Sequence, residues 1–176
     1  MALTKITGEG IQGISNSSDA TAITISSGEV ITLAQALPAS NLGSGAVIQT
    51  VVNTATTNVS TTSTTAQDLI SASITPQYTD SIIHIEGYVS RLEVVYNGNA
   101  YASLYLQNPS DSNITTGVSG NSASSNSSPA ILFGTHSPNS TSSQTYKMMI
   151  SKSSGATTSV STDSLRYSII LREIRA

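Results

Sequence analysis

The sequence predicts an all-β protein: an antiparallel β-sandwich or jelly roll preceded by an extended N-terminal arm with a β-hairpin. Three observations support this class. Ser and Thr make up roughly a third of the 176 residues, whereas charged residues make up 10%. Thr favours strands, and Ser, Thr and Asn compete for the backbone hydrogen bonds of helices. Short alternating segments follow one another between polar turns, and no long stretch has helical periodicity.

Residues 1–45 are predicted to form the arm, and residues 46–176 to form the sandwich domain. In the arm, Thr21–Ile25 and Val30–Leu33 flank the turn Ser26–Glu29 and predict a β-hairpin. An isolated hairpin is marginal in water, so we expect it to lie against another surface. The composition of Leu37–Gly45, with two Gly, two Ser and one Pro among nine residues, indicates a linker.

The first strand of the sandwich is predicted to begin near residue 47, and two more strands follow it. Apolar residues occupy both faces of the first strand, so the pattern leaves its inward side open. The second strand runs from Leu69 to Ile74, and the third from Ser81 to Val89. Alternation in the third strand separates one face, formed by Ile83, Ile85, Gly87 and Val89, from another, formed by His84, Glu86 and Tyr88.

Four later segments continue the pattern. In the strand after the third, Ala102, Leu104 and Leu106 are predicted to face inward, and Tyr101, Ser103 and Tyr105 outward. The other three are marked by Ile131 and Phe133, by Tyr146, Met148 and Ile150, and by Leu165–Leu171. Seven or eight short strands with regular turns are typical of a sandwich or jelly roll.

Two polar segments interrupt this succession. Thr54–Thr65 is either a loop or an exposed edge strand, because Thr suits such an edge. Pro109–Pro129, which is rich in Ser and Asn, is predicted to be a loop at the tip of the domain. Tip loops often carry recognition, so this segment is a candidate for binding a ligand.

Charge and composition exclude several classes of function. The net charge is -3, and the seven Lys and Arg are scattered without a basic stripe, which argues against direct binding of nucleic acid. No apolar run approaches the roughly 18 residues that span a bilayer. The first residues lack the apolar core of a signal peptide, so we expect synthesis in a cytosol without export by that route. Cysteine is absent, which excludes disulfides and thiolate metal sites.

The sequence predicts no catalytic, cofactor-binding or metal site, and therefore no enzyme. His84 and His136 are the only histidines, and no nucleophile-elbow motif is present. His84 and Glu86 share a strand face and could share a metal across a trimer axis. Because two ligands alone do not define a metal site, we favour a surface or interface pair. A polysaccharide-cleaving spike would need two cooperating carboxylates, and the acidic residues are spread out.

The candidate interaction surface combines the hairpin with outward-facing tyrosines. Tyrosine suits a protein interface or a platform on which a sugar stacks, although cross-strand packing is an equal alternative. The candidate residues are Ile23, Ile25, Val30, Ile31, Tyr88, Tyr101 and Tyr105.

Three segments carry a resemblance to a family. Asp19–Val30 looks like the short hairpin that opens many of its members. Val47–Thr50, with the following hydroxyl run Ser60–Thr65 and the segment Ser71–Pro76, is similar to the start of their β-sandwich module. Leu165–Ile174 resembles the closing strand. The family is that of capsid decoration (cement) proteins and tail-fibre proteins of marine and freshwater phages, including cyanophages.

The resemblance implies a component of the virion, usually a homotrimer, without enzymatic activity or cofactors. Because no long shaft of repeats precedes the sandwich, we expect a capsid decoration protein on the outer surface of the particle, made in the host cytoplasm. Its arm would bind the lattice of the major capsid protein. The alternative is a tail-fibre or tail-adaptor protein whose Pro109–Pro129 loop and nearby tyrosines bind a host surface glycan.

Overall fold

The computed structural model of the chain describes residues 23–25, 31–33, 42–95, 100–121, 126–152, 157–160 and 166–176. All regular elements in these residues are β-strands, which confirms the predicted all-β class. The chain divides into two compact units, Met1–Asn41 and Leu42–Ala176. The smaller unit contains β1 (Ile23–Ile25) and β2 (Ile31–Leu33).

Strands β1 and β2 form an antiparallel two-stranded sheet. Their register pairs Ile23 with Leu33 and Ile25 with Ile31. These strands lie within the two segments for which the sequence predicts a hairpin. Val30, the predicted turn and the rest of the predicted arm up to residue 41 lie outside the described residues.

The described part of the larger unit contains ten strands. They are β3 (Val47–Ala55), β4 (Val59–Thr61), β5 (Gln67–Ile74), β6 (Ile82–Val95), β7 (Ala100–Gln107), β8 (Asn113–Asn121), β9 (Asn126–His136), β10 (Gln144–Lys152), β11 (Thr157–Val160) and β12 (Tyr167–Ile174).

These ten strands form two antiparallel sheets, which we name sheet I and sheet II. Sheet I has the order β3-β12-β6-β9, and β11 and β4 extend it beside the C-terminal part of β6. Sheet II has the order β5-β10-β7-β8. The last strand of the chain, β12, thus lies between β3 and β6. This is the strand order of a jelly roll, and it confirms the predicted architecture.

Strand β6 is long enough to pair with two successive partners along one edge. Its first half pairs with β12 as far as Val89, and its second half pairs with β11 from Leu92 onward. The register with β9 shifts between these two residues, as at a β-bulge. At the shift, the amide of Ser90 donates to the carbonyl of Arg166 at 3.0 Å, so the backbone stays paired where the partner strand changes.

Alternate residues of both sheets fill the core between them. Ile83, Ile85 and Val89 of β6 are fully buried, as the alternation predicts. Each buried aliphatic side chain of this size contributes about 1.5–3 kcal/mol. Gly87 lies in the same inward row, and a Cβ atom there would lie 2.8 Å from Met148 Sδ and 2.9 Å from Leu106 Cδ2. The missing side chain lets sheet II pack closely on β6 at this point.

Side chains close both long edges of the sandwich. At one edge, Asn53 of β3 donates from Nδ2 to the carbonyl of Ser71 in β5 at 2.7 Å. At the other edge, Thr115 of β8 donates from Oγ1 to the carbonyl of Phe133 in β9 at 2.5 Å. These bonds use backbone acceptors that an open edge would offer to other chains.

The structure corrects the predicted loop Pro109–Pro129. Its residues include β8 and the start of β9, and the described turn before β8 is short. Asn108 Oδ1 caps that turn by accepting from the amides of Ser110 and Ser112, each at 3.0 Å. Polar residues form a strand here because β8 pairs with β7 along its length and Ile114 packs on the core.

The structure also decides the alternatives for Thr54–Thr65. Strand β3 continues to Ala55, and Val59–Thr61 forms β4, which confirms the strand alternative for those residues. The side chain of Thr61 is buried, and its Oγ1 accepts from the amide of Ser63 at 3.0 Å.

Candidate interaction surface

Exposed apolar side chains are concentrated on the outer face of sheet I. Among the described residues, six large apolar or aromatic side chains are strongly exposed, and five lie on this face. We call it the apolar face and define it by Val47 (50% exposed), Val52 (56%), Tyr88 (39%), Ile131 (55%) and Phe133 (56%). The register makes Tyr88, Ile131 and Phe133 neighbours, and contiguous exposed apolar surface marks interaction sites in soluble proteins.

Strand alternation and register place these side chains together. Because Ile85 is buried, its neighbours along β6 point outward. Glu86 pairs with Phe133 on one side and with Ile170 on the other, and Ile170 in turn pairs with Val52. One row across the apolar face therefore runs Val52, Ile170, Glu86 and Phe133, with the single carboxylate flanked by apolar side chains.

An ion pair lies at the centre of the apolar face. Arg172 Nη1 lies 2.8 Å from Glu86 Oε1, with the two side chains 31% and 25% exposed. His84 Nδ1 lies 3.9 Å from the same oxygen, and its ring is nearly parallel to that of Phe133, with centroids 6.4 Å apart. An ion pair this exposed contributes only about 0–1 kcal/mol to folding. Its main effect is to leave the centre of the face without net charge when His84 is neutral.

The positions of His84 and Glu86 match the predicted shared face. Within the described residues, no group of three or more His, Asp or Glu side chains is arranged to hold a metal ion. The neighbours of Glu86 are a guanidinium and an imidazole.

The structure separates the three predicted tyrosines. Tyr88 belongs to the apolar face of sheet I, whereas Tyr101 and Tyr105 lie on the outer face of sheet II. Tyr101 is 46% exposed. Tyr105 is half-buried, with its hydroxyl 3.0 Å from Ser151 Oγ. The three rings cannot form one binding platform.

The outer face of sheet II is mainly polar, and we call it the hydroxyl face. Ser73 and Thr145 share a hydrogen bond of 2.8 Å across the strands. Lys147 Nζ lies 3.1 Å from Asp111 and 3.9 Å from Asp68. The hydrogen bond to Asp111, followed by the charges of both carboxylates, raises the pKa of Lys147. These groups are well hydrated, so this face does not need a partner to cover it.

The remaining candidates belong to the smaller unit. Ile23 and Ile25 lie in β1, and Ile31 lies in β2. Val30 lies outside the described residues. Whether the hairpin forms part of an interaction surface stays a prediction.

Sequence reasoning missed most of the apolar face. Ile131 and Phe133 indicate a strand, but Leu132 between them is the buried residue of the three. A run that is apolar at every position has no period to show which side points inward. Val52 was ambiguous for the same reason. The pairing of β9 with β6, whose alternation is clear, shows which side of β9 points inward. The sequence does not reveal that pairing.

The most enclosed carboxylate serves the fold. Glu173 is fully buried and accepts four hydrogen bonds. Their donors are Gln49 Nε2 at 2.6 Å, the amides of Gln77 and Tyr78 at 2.7 and 3.3 Å, and Ser81 Oγ at 2.6 Å. Three of these donors reach Oε1 and one reaches Oε2, so most acceptor positions of the carboxylate are occupied and it has little capacity left for a substrate or metal.

A partly buried polar contact joins β9 to β10. His136 Nδ1 lies 2.9 Å from the hydroxyl of Tyr146, and the two rings meet edge to face. Burial lowers the pKa of His136 and raises the pKa of Tyr146. Both shifts favour the neutral forms, which suit a structural hydrogen bond.

A cavity of about 290 Å³ lies beside β9, near the bulge in β6. Ser128 provides the one polar side chain among the described residues that line it. Such a lining offers no charged group to hold a phosphate, a metal or an ionic cofactor. The lining residues are Leu92, Leu104, Gly117, Ser128, Pro129, Ala130, Ile131 and Leu132.

The described residues contain no helix long and apolar enough to cross a membrane. No protein-family model matches the chain, and no curated protein matches it. Among solved structures, it is similar to the infectious bursal disease virus VP2 subviral particle, with 14% identity, a TM-score of 0.41, and coverage of 73% of this chain and 33% of that one. The structure of the Gx strain of the virus matches with 15% identity, a TM-score of 0.35 and the same coverage. The chain spans about a third of these proteins.

Proposed function

We propose that this protein is a non-enzymatic structural component of a bacteriophage particle, a trimeric capsid decoration protein. The observation that carries the proposal is the apolar face, five exposed side chains around a neutral ion pair on one side of a jelly roll. A face of this kind suits a protein partner, because branched aliphatic side chains such as Val52 and Ile131 do not stack on sugar rings. The three sequence segments that resemble phage decoration and tail-fibre proteins support the same proposal.

The arm would attach the protein to the shell. The hairpin strands offer main-chain donors and acceptors that can extend a sheet of the major capsid protein. Three arms on one trimer would multiply weak contacts into avid binding. The attached sandwiches would then lie on the outer surface of the capsid and brace it against the pressure of packaged DNA.

Position and copy number in purified particles test the function. We expect many copies spread over the shell, measured by quantitative mass spectrometry and by cryo-electron microscopy of intact particles. A few copies clustered at the tail would instead support a tail-fibre or tail-adaptor protein. Absence from the particle, or release of reducing ends from host polysaccharide by the purified protein, would contradict a structural role.

Deletion of residues 1–35 tests the arm. We expect the truncated protein to lose attachment to shells while its circular dichroism keeps the strand signature of the sandwich. The matched control is the full-length protein added to shells under the same conditions. Full occupancy of the shells by the truncated protein would show that the attachment site lies elsewhere.

A further inference from the structure

We infer that the apolar face is the surface through which three copies of this chain join. The inference rests on the proposed function for the number of copies, and it adds which face they bury. The strongest observation is the contrast between the two outer faces: sheet I exposes Val52, Ile131 and Phe133, whereas sheet II presents hydroxyls and a lysine held by two carboxylates.

The position of the ion pair fits a second copy of the same face. Arg172 and Glu86 lie on β12 and β6, the two central strands of sheet I, and would lie nearest to a three-fold axis. Each copy brings one acid and one base side by side, so three copies form a ring in which the charges alternate. Burial of the pair then leaves no uncompensated charge, which a partner with a net charge could not achieve.

The apolar residues lie where neighbouring copies would meet. Val47 and Val52 are on β3 at one side of the sheet, and Ile131 and Phe133 are on β9 at the other. In a ring of three, the β9 side of one copy approaches the β3 side of the next. Apolar side chains are thus available on both sides of every contact.

The width of the sheet is compatible with three-fold closure. Four strands at about 4.8 Å spacing give a sheet about 19 Å wide, and three such sheets closing into a triangle would each lie about 5.5 Å from the axis. Two packed sheets are about 10 Å apart, so each fills about 5 Å with side chains. The distance from each sheet to the three-fold axis is therefore about the depth that the side chains of one sheet fill, so the three apolar faces can close around the axis without a large central cavity.

The size of the face sets the expected strength. With a length of about 20 Å from Ile82 to Tyr88, its flat area is about 400 Å² per copy, half of the roughly 800 Å² per partner in an interface of standard size. We therefore expect purified trimers to dissociate on dilution and to be held together in the particle by the additional contacts of the arms.

Matched substitutions on the two outer faces provide the test. The double variant Ile131→Thr with Phe133→Thr removes apolar surface from the apolar face and keeps residues that favour strands. The control, Tyr101→Thr, removes a similarly exposed ring from the hydroxyl face. Sedimentation velocity and native mass spectrometry over a wide concentration range give the mass of each protein, and circular dichroism checks that each remains folded.

We expect the wild-type and Tyr101→Thr proteins to form trimers with similar dissociation constants. The double variant should remain folded but need at least about tenfold higher concentration to associate, which corresponds to about 1.4 kcal/mol. A wild-type protein that stays monomeric or dimeric at high concentration, or a double variant that trimerises like wild type, would overturn the inference. A trimer that is broken by the double variant but absent from particles would overturn the proposed function and leave this inference standing.

Discussion

Glu173 shows how one residue joins distant parts of the chain. Its carboxylate receives the side chain of Gln49 from β3 and three donors from the segment 77–81 that precedes β6. A buried carboxylate without partners is costly, but removing one partner from a satisfied cluster is also costly. The cluster therefore fixes the path of that segment at the end of the sandwich.

The first prediction is that Glu173→Gln lowers the free energy of unfolding by about 2–4 kcal/mol. The amide nitrogen of glutamine would replace one carboxylate oxygen, and it would bring a donor either toward Gln49 Nε2 or toward Ser81 Oγ and the amide of Gln77, where the structure needs an acceptor. Urea unfolding followed by circular dichroism measures the change. The control Glu86→Gln, in an exposed ion pair, should cost less than about 1 kcal/mol. Equal costs for both substitutions would contradict the role of the buried cluster.

The second prediction concerns His136. Burial lowers its pKa in the folded state below the ordinary 6.5, so the unfolded chain binds the proton first as the pH falls through that value. The free energy of unfolding should therefore fall as the pH drops through about 6.5 and level off below the folded pKa.

His136→Asn provides the comparison for this pH dependence. An asparagine oxygen near the position of Nδ1 can still accept from Tyr146, but it does not titrate. Thermal unfolding of both proteins across this pH range isolates the contribution of His136, because His84 is present in each. A pH dependence that is identical in the two proteins would show that His136 does not contribute.

At the scale of elements, β8 of sheet II and β9 of sheet I lie in close contact at one edge of the sandwich. A Cβ atom on Gly134 would overlap Ile114 Cγ2 and lie 3.1 Å from Thr115 Oγ1. The third prediction is that Gly134→Ala destabilises the sandwich by about 1–3 kcal/mol, as overpacking does.

A double-mutant cycle tests that contact. Ile114→Ala removes the clashing methyl group, so the double variant should be more stable than the sum of the single effects by about 1 kcal/mol. Thermal unfolding of the four proteins gives the coupling energy. Additive effects would show that the two positions do not share this contact.

The strands that the sequence predicted well are those with one solvent-exposed face and one buried face. In β6 and β12, alternate residues are buried and half-exposed, so the period of two is visible in the sequence. Strand β8 lacks such a signal because it is an edge strand of mostly polar residues, with Ile114 as its contact to the core. In β9, apolar side chains occupy both the face that packs on the core and the face that is exposed. Only the assembled sheet shows which face is which.

At the scale of the whole molecule, the candidate site was predicted in part. Tyr88 was identified because it belongs to a clearly alternating strand, and the structure places it on the apolar face. Arg172, Val52 and Phe133 join it through strand pairings that are distant in sequence. Such pairings follow from the topology of the jelly roll, which no single segment encodes.

The fourth prediction is that residues 42–176 fold without the smaller unit. The buried core runs from Leu69 to Leu171, and all of it belongs to the larger unit. We expect the fragment to unfold within a few degrees of the full-length protein, measured by differential scanning calorimetry. A much lower midpoint would show that residues 1–41 stabilise the sandwich.

The position of β12 between β3 and β6 has a consequence for synthesis. Until Ile174 has left the ribosome, sheet I lacks an inner strand, and the facing edges of β3 and β6 offer unpaired backbone groups. A nascent or prematurely terminated chain therefore presents a gap of one strand, which a segment of another chain can fill. Interruption before β12 should consequently yield aggregates built by strand exchange, and folding has to wait for almost the whole domain.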